Sequence, residues 1–193
     1  YNIVLIEDAA ESLFRLSLGV HTSLKGRMGV LSFNGNKIIT TGGGGALITD
    51  DEVLARRAKH LTTTAKQPHP WLFLHDEVGF NYRLPNLNAA LGCAQLEQLI
   101  EHVEAKRTLA QRYREWFDAV DDAEFVCEPA GARANYWLNA ILLSCREERD
   151  WFLQFTNDAG VMTRPMWTPM HTLPMYQDCQ RGDLATSEDI EDK

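Results

Sequence analysis

The 193-residue sequence predicts an α/β fold, and three observations carry that reading. Short apolar runs stop at polar or acidic residues, a helical period extends from Pro85 to Val120, and a strand, helix, strand order returns beyond residue 134.

Residues 3–6 are continuously apolar and break into Glu7 and Asp8, as a buried parallel strand does when it delivers polar groups at its carboxyl end. Ligands gather at that end in open α/β sheets. Residues 29–33 read as a second buried strand and 45–49 as a third, stopped by Asp50 and Asp51. Asp51 then caps a helix over 52–61, with Val53, Leu54 and Ala58 on one face. Residues 62–80 form a loop rich in Pro, His and aromatics. Beyond it, Leu87, Leu91, Ala94, Leu99, Val103, Leu109, Tyr113, Trp116 and Phe117 recur at helical spacing, with a break expected near Glu104. After a turn-rich stretch at 121–134, strand 136–144, helix 146–159 closed by Gly160 and strand 161–167 imply a small β-α-β lobe. The sequence opens inside an apolar run, without an initiator Met, and closes at residues 188–193 without an obvious finishing element, which reads as a fragment of a longer chain.

Composition narrows the function. A net charge of −8 disfavours nucleic acid or an anionic membrane as the main partner, because both reward clustered Lys and Arg. Cys93, Cys127, Cys145 and Cys179 lie far apart with no CxxC pair, so neither a zinc site nor a disulfide framework is expected and no metal is assigned. Reduced thiols, no span of roughly 20 apolar residues and no signal-peptide pattern point to the cytoplasm.

The stretch from Ser32 to Gly45, SFNGNKIITTGGGG, sets one lysine before four glycines. A nucleotide P-loop has the lysine after its glycines and opens a helix, so the order is wrong for that motif. A glycine hinge beside a surface lysine is the plain alternative. Asp8 at one strand end and Lys37 just past another change the balance. A carbonyl cofactor such as pyridoxal phosphate needs an amine, a carboxylate for its ring nitrogen and donors for its phosphate. Lys37, Asp8 and Ser32 offer one of each.

Four ordered blocks, IEDAAES, GVLSFNGNKIITTGGGGALITDD, GFNYRLPNLNAALGCAQLEQL and MTRPMWTPMHTLPMYQD, resemble the DegT-type nucleotide-sugar aminotransferases, over nearly the whole chain. The resemblance implies part of a fold type I pyridoxal-phosphate transferase. Residues 1–120 would be a portion of the large cofactor-binding domain with its long connecting helix, and 121–193 an incomplete small C-terminal domain. It implies Lys37 as the catalytic Schiff-base lysine, Asp8 as partner of the pyridinium nitrogen, Glu11 near the phenolic oxygen and Ser32 on the phosphate. Asn81, with Arg83 as a second candidate, would reach the phosphate of a neighbouring subunit, giving a homodimer with shared sites. NYWLNAI and MTRPMWTPMH are closest to the branch acting on UDP-linked 4-keto-6-deoxy-N-acetylhexosamines in polysaccharide biosynthesis, with glutamate as amine donor. Trp137, Asn139, Arg164, Trp167 and His171 are its candidates for the substrate edge, although Trp and Met in 161–176 also suit a small-lobe core. A 3-keto-sugar aminotransferase and a non-catalytic dimerising remnant are the alternatives. Phe14, Ser23 and Lys25 stand where the family has Gly, Gly and Phe, and a Phe replacing a left-handed glycine is expected to strain the backbone.

Overall fold

The computed structural model describes residues 3–193 and divides into two units. One runs up to Ala110 and includes Glu128–Leu138. The other comprises Gln111–Cys127 and Asn139–Lys193. In chain order the elements are β1 (Ile6–Asp8), β2 (Leu16–Ser17), β3 (Val20–His21), β4 (Met28–Ser32), β5 (Gly45–Ile48), α1 (Glu52–Thr62), α2 (Asn86–Glu97), α3 (Leu99–Phe117), β6 (Ala123–Phe125), β7 (Ala132–Arg133), β8 (Ile141–Leu143), α4 (Arg146–Asp158) and α5 (Ala185–Asp192). The α/β class is as expected.

In the first unit, β4 pairs in parallel with β1 and antiparallel with β5, so the carboxyl ends of β1 and β4 lie at the same edge of the sheet. The first strand lies later than expected. Arg27 N–H donates to Leu5 O at 2.9 Å and the paired register starts at Ile6↔Met28, so the paired strand begins after residue 5. Nor is the run buried. Ile3 to Ile6 are exposed, because no layer among the described residues covers them. A second small sheet orders β3-β2-β7, antiparallel throughout. Its two-residue strands are too short to leave a period in the sequence.

Asp51 caps α1 as expected, its Oδ1 accepting from Val53 N–H at 2.9 Å and Leu54 N–H at 3.1 Å. The 62–80 loop carries two isolated bridges, Thr63↔Asn81 and Lys66↔His75. The long helix does break once, but at Gln98, where the backbone opens to φ −103° and ψ 4°. Glu104 lies within α3, where Arg133 Nη2 donates to it at 2.5 Å. No Gly or Pro marks residue 98, so the sequence left no local sign of the break.

In the second unit the expected β-α-β lobe gives way to an antiparallel β6-β8 pair with α4 and α5. Strand 136–144 shrinks to β8, and β6 forms inside the stretch read as turns. Residues 161–167 form no strand. Side chains of the preceding helix take up the polar groups there instead: Asn157 Nδ2 donates to Thr163 O at 3.2 Å, and the Thr156 and Thr163 hydroxyls lie 2.6 Å apart. The chain finishes in α5, held by Arg146 to Glu191 at 2.8 Å and by Leu143 N–H to Lys193 O at 3.1 Å. No described helix is long and apolar enough to cross a membrane.

Candidate active site

β1 ends on Asp8, whose Oδ1 accepts Ala10 N–H at 3.1 Å, and the following turn presents Glu11. β4 ends on Ser32, whose Oγ accepts Asn34 N–H at 3.3 Å. The chain then turns through Asn34–Lys37, closed by Lys37 N–H to Asn34 O at 3.1 Å, and returns to β5. Phe33 N–H to Gly44 O and Thr41 N–H to Phe33 O, both 3.0 Å, tie the base of the loop. Gly42 and Gly44 have φ of 81° and 84°, a left-handed backbone that side chains resist, so the glycine run is what lets the loop return.

The loop is gripped from behind by one face of α2. Asn88 Nδ2 donates to Thr41 O at 2.5 Å, and Gln95 Oε1 accepts Thr40 N–H at 3.2 Å. Between them Gly92 leaves room for Thr41, since a Cβ there would stand 2.9 Å from Thr41 Cγ2. Positions 88, 92 and 95 follow helical steps of four and three, so all three face one side. Ile39 is buried within the loop.

From this seat the Lys37 amine pairs with the Glu11 carboxylate, and it lies 4.5 Å from the centre of the Trp137 ring. Its side chain is 12% exposed. The Glu11 carboxylate thus has a cationic partner. Trp137 is held by its own Nε1–H, which donates to Asn36 O at 2.5 Å. Asp8, Glu11, Ser32, Lys37 and Trp137 therefore all belong to the first unit, the first four at or just past the paired strand ends.

Asn81 and Arg83, in the same unit, are exposed, and their side chains bond to no other described residue. Asn139, Arg164, Trp167 and His171 belong to the second unit. Asn139 Oδ1 is buried with no partner among the described residues, His171 Nε2 lies 2.7 Å from Glu188 Oε1, and Arg164 and Trp167 are exposed. Trp167 and His171 line a cavity of about 600 Å³ together with Met166, Met170 and Arg181.

The departures are accommodated at a cost. Phe14, where the resemblance expects a glycine, has φ 63°, a left-handed conformation. Its N–H donates to His21 Nε2 at 3.0 Å, and Arg133 lies 5.2 Å from its ring centre. Buried Ser23 places Oγ 2.6 Å from His21 Nδ1, and burial pushes the His21 pKa down, partly opposed by Glu7. Lys25 Nζ donates to Ser17 Oγ at 2.7 Å.

Sequence reading missed a polar group behind Trp137. Arg107 forms a two-pronged pair with Glu128, at 2.8 Å on each side, and donates to Ala134 O at 2.6 Å. Asn135, buried, donates through Nδ2 to Glu11 O at 2.8 Å and Leu13 O at 2.9 Å. No local pattern links positions so far apart, and Asn is a residue type more often exposed than buried. Elsewhere His60, Asp76 and Glu77 bring ligand-type atoms close together, but Arg57 already holds Glu77 and His60 bonds Asp76 at 2.7 Å, an ion-pair network.

A lysine amine, two carboxylates and a hydroxyl at and beyond the carboxyl ends of a parallel strand pair form the donor set of an enzyme that handles a carbonyl cofactor. The pattern of the DegT/DnrJ/EryC1/StrS aminotransferase family matches residues 1–193, and the chain belongs to that family, whose members depend on pyridoxal phosphate. It is 40% identical over 176 residues to the putative pyridoxal phosphate-dependent aminotransferase EpsN of Bacillus subtilis (strain 168), covering 91% of this chain and 45% of EpsN. It is 35% identical over 177 residues to GDP-perosamine synthase of Escherichia coli O157:H7, covering 92% and 48%. The aminotransferase TlmJ of Streptoalloteichus hindustanus superposes with a TM-score of 0.90 at 29% identity, covering 98% of this chain and 51% of TlmJ. The chain thus spans about half the length of the relatives it matches.

Proposed function

We propose that this chain carries the lysine-bearing part of the active site of a cytoplasmic aminotransferase that moves an amino group from glutamate to a nucleotide-linked keto sugar. The observation that carries the reading is the Lys37 amine, held between Glu11 and Trp137 just past the strand end that also presents Ser32. The donor set fits pyridoxal phosphate: Lys37 as the amine that holds it, Asp8 as acceptor for the ring N–H and Ser32 as donor to the phosphate. When bound, that cofactor supplies a carbonyl for the incoming amine and a ring that takes up electron density from the reacting carbon. Lys37 then moves the proton at that carbon, while Asp8 keeps the ring nitrogen protonated. Asn81, exposed and with its side chain bonded to no other described residue, is proposed to reach the phosphate of a second copy, with Arg83 beside it, so that a homodimer completes each site.

The finer reading is a UDP-linked 4-keto-6-deoxy-N-acetylhexosamine as acceptor, supported by the NYWLNAI and MTRPMWTPMH segments. A GDP-linked sugar is the second reading, favoured by the identity to GDP-perosamine synthase. The test is glutamate-dependent amination of UDP- and GDP-linked 4-keto-6-deoxy sugars, followed by mass spectrometry, with this chain and with any longer chain that carries it. Amination of the UDP sugar alone supports the finer reading, and of the GDP sugar alone the second. No amination of either, with cofactor bound, overturns the sugar-aminotransferase reading.

A further inference from the structure

The polar group behind Trp137 forms a continuous connection to Lys37. Glu128 takes both prongs of Arg107 and also accepts Ala134 N–H at 2.6 Å, while Arg107 covers Ala134 O, so both backbone groups of Ala134 are fixed by one ion pair. The Glu128 N–H donates to the Tyr136 hydroxyl at 3.2 Å, and the Arg107 guanidinium lies 5.6 Å from the Tyr136 ring centre. This holds Tyr136 at φ 44°, a conformation a non-glycine residue adopts only when its surroundings impose it. Next in the chain, Asn135 fixes the Glu11 and Leu13 carbonyls and accepts Trp137 N–H at 3.1 Å. Trp137 in turn holds Asn36 O and covers the Lys37 amine. The turn at 134–137 therefore addresses both neighbours of the amine, Glu11 through Asn135 and Asn36 through Trp137.

We infer that Arg107 and Glu128 are positioning residues for Lys37: by fixing the 134–137 turn they hold the Trp137 ring over the amine and keep it shielded and aimed. A two-pronged Arg–carboxylate pair is well suited to this, because its planar fork sets orientation as well as distance. Neither residue touches the amine. The inference deepens the aminotransferase reading and rests on it for its purpose, but the positioning itself is testable without cofactor or turnover.

The test is acylation of the cofactor-free chain with a limiting amount of acetic anhydride, reading Lys37 against exposed Lys59 after digestion. Trp137→Ala should raise the Lys37/Lys59 ratio about fivefold, the factor corresponding to a typical cation–π contact. Glu128→Gln should raise it by a comparable factor, with far-UV circular dichroism unchanged. The double variant Glu128→Gln/Trp137→Ala should label Lys37 no faster than Trp137→Ala, since Glu128 acts through the ring. Glu128→Asp should restore part of the shielding. If Glu128→Gln does not fold, Arg107→Lys, which keeps the charge and loses the fork, is read by the same criteria. An unchanged ratio in a folded variant, or strictly multiplicative effects in the double variant, overturns the inference. Transaminase failure with these labelling results intact would leave the positioning standing and remove only the proposed function.

Discussion

Trp137 Nε1–H donates to Asn36 O at 2.5 Å, and the same ring lies 4.5 Å from the Lys37 amine next in the chain. One side chain thus fixes the backbone that carries the lysine and covers the amine it presents. With the Glu11 carboxylate on Lys37 as well, the amine is held in place before any ligand arrives.

Replacing the amine tests the chemistry directly. Lys37→Ala should lower turnover by about 10³-fold or more, while the thermal midpoint shifts little, because the loop is held by Ile39, Thr40 and Thr41 and not by the lysine. Steady-state assay beside a melting curve reads both. Retained turnover would remove Lys37 from its assigned role.

Asp8→Asn separates charge from local structure. The amide keeps an oxygen to accept Ala10 N–H, so the turn after β1 should survive. A neutral group cannot hold a protonated ring nitrogen, and turnover should fall by roughly 10²-fold or more with cofactor still bound. Cofactor absorbance and single-turnover rates distinguish this from simple loss of binding.

The Arg107–Glu128 pair makes stability depend on pH. Hydrogen bonding from Arg107 holds the Glu128 carboxyl at about 2, below its ordinary 4.5. The folded value is the lower one, so as pH falls the unfolded chain takes the proton first. The stabilisation is complete above about 4.5 and is lost on descent toward about 2. Because the pair is part-exposed and screened by solvent, it amounts to on the order of 1 kcal/mol. Urea unfolding of the native chain and Glu128→Gln should show a stability gap at pH 6 that narrows steadily through pH 4 and 3. A gap independent of pH would refute the coupling.

Leu18 should be a stabilising site. It holds φ 53° with the residue 81% exposed, so it incurs left-handed strain with little burial in return. Leu18→Gly should raise stability by about 0.5–1 kcal/mol, the relief of strain exceeding the added chain entropy. A lower denaturant midpoint would show that the side chain contributes packing that its exposure does not reveal.

The residues at strand ends were legible because apolar runs that stop at a carboxylate or a serine announce where a sheet hands over to chemistry. Asp8 and Ser32 do end their strands, and Lys37 does follow at the turn. The left-handed Phe14 could be foreseen only through the family resemblance, which sets a glycine there, because the preference of Phe itself points the other way. What stayed hidden depends on partners distant in sequence. Residues 161–167 are apolar enough for a strand but found helix side chains instead of a ladder. The break at Gln98 has no breaker residue, and Arg107 meets Glu128 across 21 positions of otherwise unremarkable sequence.

The missing side chain at Gly92 has a mechanical consequence. With Asn88 and Gln95 fastened to the loop's far limb and no Cβ between them, the backbone that bears Lys37 is anchored like a post driven against a wall. Once the amine leaves Glu11 and Trp137, only the four methylenes of the lysine remain as a tether. The volume the amine can sweep is then the reach of one side chain about a fixed root, and the reaction has to come within that radius.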